Sequence, residues 1–149
     1  MLCAVRGLVQ RVSEASVSID GEVVGRIGPG LCALVGVCGA DDGKAADRLA
    51  DKLWQLRLFP DSQGHMNRSA AELGLAVLIV SQFTLYADVT RGRRPSFAQA
   101  APPAQARVLV DRVVDQLRAA GAQVATGRFG ATMQVQIVNE GPVTIMVET

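Results

Sequence analysis

Residues 5 to 19 alternate between apolar and polar, loosely at first and then cleanly, with Ala15, Val17 and Ile19 on one side and Ser16 and Ser18 on the other. A period of two predicts a strand with one buried face. Asp20-Gly21 is a hairpin-turn signal, and Glu22 to Ile27 reads as the return strand. Gly28-Pro29-Gly30 predicts another turn. Leu31 to Val37 is then continuously apolar, which predicts a strand covered on both faces.

The period lengthens after Asp41 and Asp42, either of which can cap a helix. Ala46, Leu49, Leu53 and Leu56 share one helical stripe, and Pro60 is expected to end it. A short strand is predicted after Asp61-Ser62-Gln63-Gly64. Leu75 to Val80 predicts a second buried strand, running into S-Q-F-T-L-Y-A-D. A polar loop, V-T-R-G-R-R-P-S-F, separates it from a helix opening at Pro102-Pro103 and closing near Gly121, with Val110, Val113, Val114 and Leu117 inward. Strands are expected at about 122–126, 132–138 and 143–148, the last two joined by a Gly-Pro turn. The pattern is that of one α+β domain over residues 1–149, mostly antiparallel, with two main helices.

Composition narrows the chemistry. With 149 residues, about half of them apolar, the chain can bury a core without metal or disulfide support. A net charge of +1 excludes a grossly basic nucleic-acid binder but permits a local basic patch. Lys44 and Lys52 are the only lysines, so the positive charge is carried by arginine, whose planar fork suits phosphate. No apolar run reaches 18 residues and the N-terminus does not resemble a signal peptide, so a cytoplasmic protein without membrane contact is expected. Cys3, Cys32 and Cys38 are not spaced as a metal knuckle, and Cys32 and Cys38 read as small buried hydrophobes. The single histidine, His65, stands in the polar stretch D-S-Q-G-H-M-N and reads as a solvated loop residue. A Ser-His-Asp or Cys-His site would have to use it. Hydrolase machinery of that kind and a zinc site are therefore not expected; neither a metal nor a cofactor is implied.

Two stretches stand above this background: Ser81-Gln82-Phe83-Thr84-Leu85-Tyr86-Ala87-Asp88 and Asn139-Glu140-Gly141-Pro142-Val143-Thr144. Together they closely resemble the signatures of the D-aminoacyl-tRNA deacylase family. R-V-S-E-A-S-V, D-G-E-V-V-G-R-I-G-P-G, G-R-R-P-S-F and T-G-R-F-G-A-T-M resemble further stretches of that family in the same order, so the likeness covers nearly the whole chain. Residues Met1 to Ala4 look like an extension before the usual family start at Val5.

The resemblance implies a barrel-like core and a homodimer with each active site at the interface. It also implies a cis Gly141-Pro142 bond reaching into the partner's pocket. The implied substrate is tRNA whose 3′-terminal adenosine carries a D-amino acid, with glycine also removed; DNA is not an expected partner. Such an ester is activated, so a positioned water and stabilisation of the oxyanion suffice. Backbone N–H groups at Phe83 and Thr84, expected at a strand end, can supply the latter, and the substrate's own 2′-hydroxyl can assist. Thr84 is the side-chain nucleophile candidate, but no base accompanies it, which favours positioning. Gln82 and Ser81 are expected to orient the ligand or the turn.

Gly141 and Pro142 carbonyls would hold the amino group and exclude an L side chain, with Asn139, Val143 and Thr144 in the same filter. Met133 matches a family methionine near the pocket, or packs in the core. Arg91, Arg93 and Arg94 are candidate tRNA phosphate contacts, and Phe97 is a candidate stacking residue for the adenine. Three alternatives stay open: a sister deacylase for a mischarged L-amino acid, a non-catalytic tRNA-binding module, and a small-molecule esterase.

Overall fold

A computed structural model describes residues 4–149. Met1, Leu2 and Cys3, most of the expected extension, lie outside the described residues. The strands are β1 (Arg6–Ile19), β2 (Glu22–Ile27), β3 (Gly30–Gly36), β4 (Phe59–Pro60), β5 (Met66–Arg68), β6 (Ala76–Ser81), β7 (Val124–Thr126) and β8 (Gln134–Glu148). The helices are α1 (Gly43–Gln55), α2 (Ala70–Leu73) and α3 (Pro103–Ala119).

Six strands form a nearly closed, barrel-like sheet in the order β2-β1-β3-β6-β7, with β8 on the other edge of β1. The β1 pairings are antiparallel, whereas β3–β6 and β6–β7 are parallel. The barrel narrows where β2 meets β7: a Cβ on Gly25 would stand 2.6 Å from the Thr126 carbonyl oxygen, so only glycine allows that approach.

Two cores explain why β3 and β6 are apolar throughout. Leu31, Ala33 and Val35 of β3, with Val77 and Ile79 of β6, face α1 and α3, where Leu49, Leu53, Val113 and Leu117 cover them. The alternate residues Cys32, Leu78 and Val80 fill the barrel interior with Val12, Ala15, Val17 and Ile27. β1 serves both: Val9 belongs to the helix side and Val12 to the interior. Three residues apart in an unbroken register with β3, Val9 and Val12 point to opposite faces, and the register shift between Val12 and Glu14 brings Ala15 and Val17 to the interior as well, which is why the alternation is loose in this part of the sequence.

Local signals explain the ends of the elements. Asp42 caps α1, its carboxylate accepting from the Ala45 N–H at 3.0 Å. Pro60 does not end that helix; α1 stops at Gln55 and Pro60 lies in the short β4–β5 pair. The helix α2 was not anticipated, although its capping box, Ser69 with Glu72, is visible in the sequence. Asp20 and Gly21 both take positive φ, 51° and 80°, as a two-residue hairpin with right-handed twist requires.

The largest departure concerns the C-terminus. The two strands expected on either side of a Gly-Pro turn are one antiparallel strand, β8, both halves pairing with β1. Gly141-Pro142 is therefore a bulge, because the backbone leaves β1 and returns to it in the same direction. Among the described residues no helix is long and apolar enough to cross a membrane.

Candidate active site

β6 ends at Ser81 and the chain turns at once into a short 3-10 helix, Phe83–Tyr86. The expectation that Phe83 and Thr84 close a strand is thus corrected. The Gln82 N–H still donates to the Val35 carbonyl at 2.8 Å, and the turn is closed by Leu85 N–H to Gln82 O and Ala87 N–H to Thr84 O. The N–H groups of Phe83 and Thr84, first in their helix, have no intrahelical partner.

Beside this turn opens a cleft of about 680 Å³. Ser81, Gln82, Phe83, Phe97 and Met133 all line it, and Phe129 does too. Phe83 and Phe97 meet edge to face, with ring centroids 5.0 Å apart, and both remain exposed. Phe129 was not singled out from the sequence, although it stands in the stretch T-G-R-F-G-A-T-M.

Thr84 does not line the cleft. It is exposed, and its hydroxyl pairs with the Gln82 side-chain amide. Neither orientation of that amide supplies a base, since an amide does not titrate near neutral pH. His65 is exposed in its loop, where its N–H donates to Asp61. Among the described residues no cluster of histidine, cysteine or carboxylate could hold a metal.

Residues 139–144 do not line the cleft either. Val12 of β1 pairs with Asn139 and Gln10 with Thr144, so Glu140 to Val143 bulge out opposite Arg11 alone. Glu140, Gly141 and Pro142 are exposed. The Gly141-Pro142 bond is cis and Gly141 has φ 113°. A Cβ there would stand 2.7 Å from the Val143 nitrogen. Beneath the bulge, Arg11 donates through Nη1 to the Leu58 carbonyl at 2.8 Å.

Arg91, Arg93 and Arg94 occupy an exposed loop whose ends are clamped by paired backbone hydrogen bonds between Asp88 and Ser96, 2.7 and 2.9 Å. Thr90 donates to the Asp88 carboxylate through its hydroxyl and its N–H, holding that acid below its usual range. The ion pairs among the described residues use Arg6, Arg68 and Arg112, so the three loop arginines take part in none.

The sequence profile of the D-Tyr-tRNA(Tyr) deacylase family matches residues 8–148. The chain belongs to this family. A D-aminoacyl-tRNA deacylase of Symbiobacterium thermophilum is 58% identical, over 97% of this chain and 95% of its own length. One of Nocardia farcinica is 56% identical, over 97% and 99% respectively. Among solved structures, a protein titled c-Myc DNA Unwinding Element Binding Protein superposes with a TM-score of 0.91 at 39% identity, covering 97% of this chain and 98% of its own. A probable eukaryotic D-amino acid tRNA deacylase superposes at 0.85 with 20% identity, covering 98% and 100%, a likeness of fold.

Proposed function

We propose that this chain, a cytoplasmic member of the deacylase family, hydrolyses the ester joining a D-amino acid to the 3′-terminal adenosine of tRNA, and that it does so as a homodimer. The observation that carries the reading is the separation of its two signature stretches. Ser81 to Phe83 line a concave cleft. Gly141-Pro142 stands on an exposed bulge outside that cleft. A cleft open on one side and a projecting bulge complement each other across two copies of the chain.

In the proposed reaction water adds to the ester carbonyl, the tetrahedral oxyanion collapses, and the bond to the ribose oxygen breaks with a proton passing to that oxygen. The N–H groups of Phe83 and Thr84 have no intrahelical partner and suit the oxyanion, an arrangement worth on the order of 10²–10³ in rate per donor. The substrate's neighbouring 2′-hydroxyl assists, since the side chain that pairs with the Thr84 hydroxyl is the Gln82 amide, which is not a base. The adenine packs against Phe97 in an apolar cleft shared with Phe129 and Met133. Arg91, Arg93 and Arg94 receive tRNA phosphates.

Stereochemistry comes from the partner's bulge. Gly141 and Pro142 carbonyls meet the substrate's amino group and leave no room for an L side chain. A glycyl ester passes, having no side chain to exclude.

The test compares D-tyrosyl-, L-tyrosyl- and glycyl-tRNA. Release from the D and glycyl esters alone is expected; release from the L ester alone would favour the sister deacylase, and release from none a binding module. Mixing two variants that are each impaired on D-tyrosyl-tRNA, one changed in the cleft (Gln82→Ala) and one in the bulge (Gly141→Ala), tests the dimer. A mixed dimer keeps one intact cleft facing one intact bulge, so activity returns; no recovery on demonstrated subunit exchange would refute action across the interface.

A further inference from the structure

The bulge raises a question of rigidity. Four residues of β8, Glu140 to Val143, stand opposite one residue of β1, Arg11, so the backbone ladder is interrupted there. Glu140, Gly141 and Pro142 are exposed and gain little from packing. A wall that excludes one enantiomer must nevertheless hold its position closely.

The neck of the bulge is closed by one side chain. Asn139 Nδ2 donates to the Arg11 carbonyl on β1 and to the Val143 carbonyl on the far side of the bulge, both at 2.9 Å. Its Oδ1 accepts from Gln10 Nε2 at 3.2 Å and from Thr144 Oγ1 at 3.0 Å. A primary amide has two N–H donors and two lone pairs, so all four of its hydrogen bonds are spent. It ties together the points where the chain leaves β1 and where it returns, and offers nothing further to a ligand.

We infer that Asn139, held by Gln10 and Thr144, is a positioning residue for stereoselectivity: it fixes the height of the Gly141 and Pro142 carbonyls rather than touching the substrate. The inference rests on the filter reading above. No other residue type serves equally. Aspartate turns an acceptor toward two carbonyl oxygens, alanine loses all four bonds, and glutamine is one methylene too long for the neck. Gln10, polar within a strand, has its role here; Thr144 joins it from the other side.

The experiment measures kcat/KM for D-tyrosyl- and L-tyrosyl-tRNA with wild type, Asn139→Ala, Asn139→Asp, Gln10→Met and Thr144→Val, alongside thermal melts. In Asn139→Ala the rate on the L ester should rise, and the D-over-L ratio fall about tenfold or more, with smaller falls in the two variants that each remove one donor. Damage to the fold cannot produce a gain on the L ester, so that gain separates positioning from mere stability. Should the alanine or aspartate variant fail to fold, Gln10→Met and Thr144→Val decide the matter. An unchanged ratio in folded variants, or parallel loss on both esters, overturns the brace while leaving the filter in place. A wild type without D preference overturns the filter itself.

Discussion

The cleft at Ser81–Phe83 and the bulge at Asn139–Thr144 are held in opposite ways. The cleft is a consequence of packing: β6, buried on both faces, delivers Ser81 to a fixed point, and Phe97, Phe129 and Met133 surround the opening. The bulge stands outside both cores. It keeps its shape through a glycine conformation and four hydrogen bonds from one amide. Apolar packing makes a cavity tolerant of many side chains, because it is non-directional. Directional bonds make a wall that tolerates few changes. The stereochemical filter proposed above calls for one of each.

The strongest blow to the bulge is Gly141→Ala. The residue's φ of 113° and the 2.7 Å approach to the Val143 nitrogen leave no place for a methyl group. Hydrolysis of D-tyrosyl-tRNA should fall about 100-fold in single turnover, because small misplacements in a site cost that much. The melt should report a loss of only about 1–3 kcal/mol, the usual cost of one strained residue.

Cys32 tests the buried side of the comparison. Burial raises its thiol from 9.0 to about 11. Folding therefore favours the protonated form: this contribution is complete below pH 9 and is lost as pH rises toward and through 11. Stability should decline on the order of 2–3 kcal/mol over that window. Urea titrations across the alkaline range should show a shallower decline in Cys32→Ala, and equal slopes would refute the assignment.

Changing Arg91, Arg93 and Arg94 together to alanine probes the exposed loop between Asp88 and Ser96. About tenfold weaker use of D-tyrosyl-tRNA is expected, with a smaller salt dependence, while the short ester D-tyrosyl-adenosine changes little. Equal loss on both substrates would count against phosphate contacts. The smallest effect belongs to Thr84→Ala: a fall of about threefold, against the far larger loss that removing a nucleophile brings. Loss of all D-ester release in a folded variant would restore Thr84 as a direct participant.

Much of this could be read along the chain. The hairpin at Asp20-Gly21, the doubly buried strands, the cap at Asp42 and the inward face of α3 all follow from periodicity and turn chemistry, which act over a few residues. Two of the errors share one cause. Phe83 and Thr84 continue an apolar strand pattern, but the chain leaves the sheet after Ser81 and closes a 3-10 turn. The Gly-Pro pair has the sequence of a hairpin, yet both flanks pair with β1, and only the register of that distant strand shows it. Gln10 carried no signal of its own; its partner lies 129 positions away.

The sequence by itself determined most of the element types, the α+β class and the two signature stretches. The family could be named from it because backbone preference and side-chain chemistry are local properties. Tertiary structure alone decided that Ser81, Phe97, Phe129 and Met133 share one cleft, that residues 139–144 stand outside it, and that Asn139 spends its whole amide on the neck of the bulge. Those facts depend on β1 pairing with three strands at once. No local pattern encodes which edge of a strand will meet which partner.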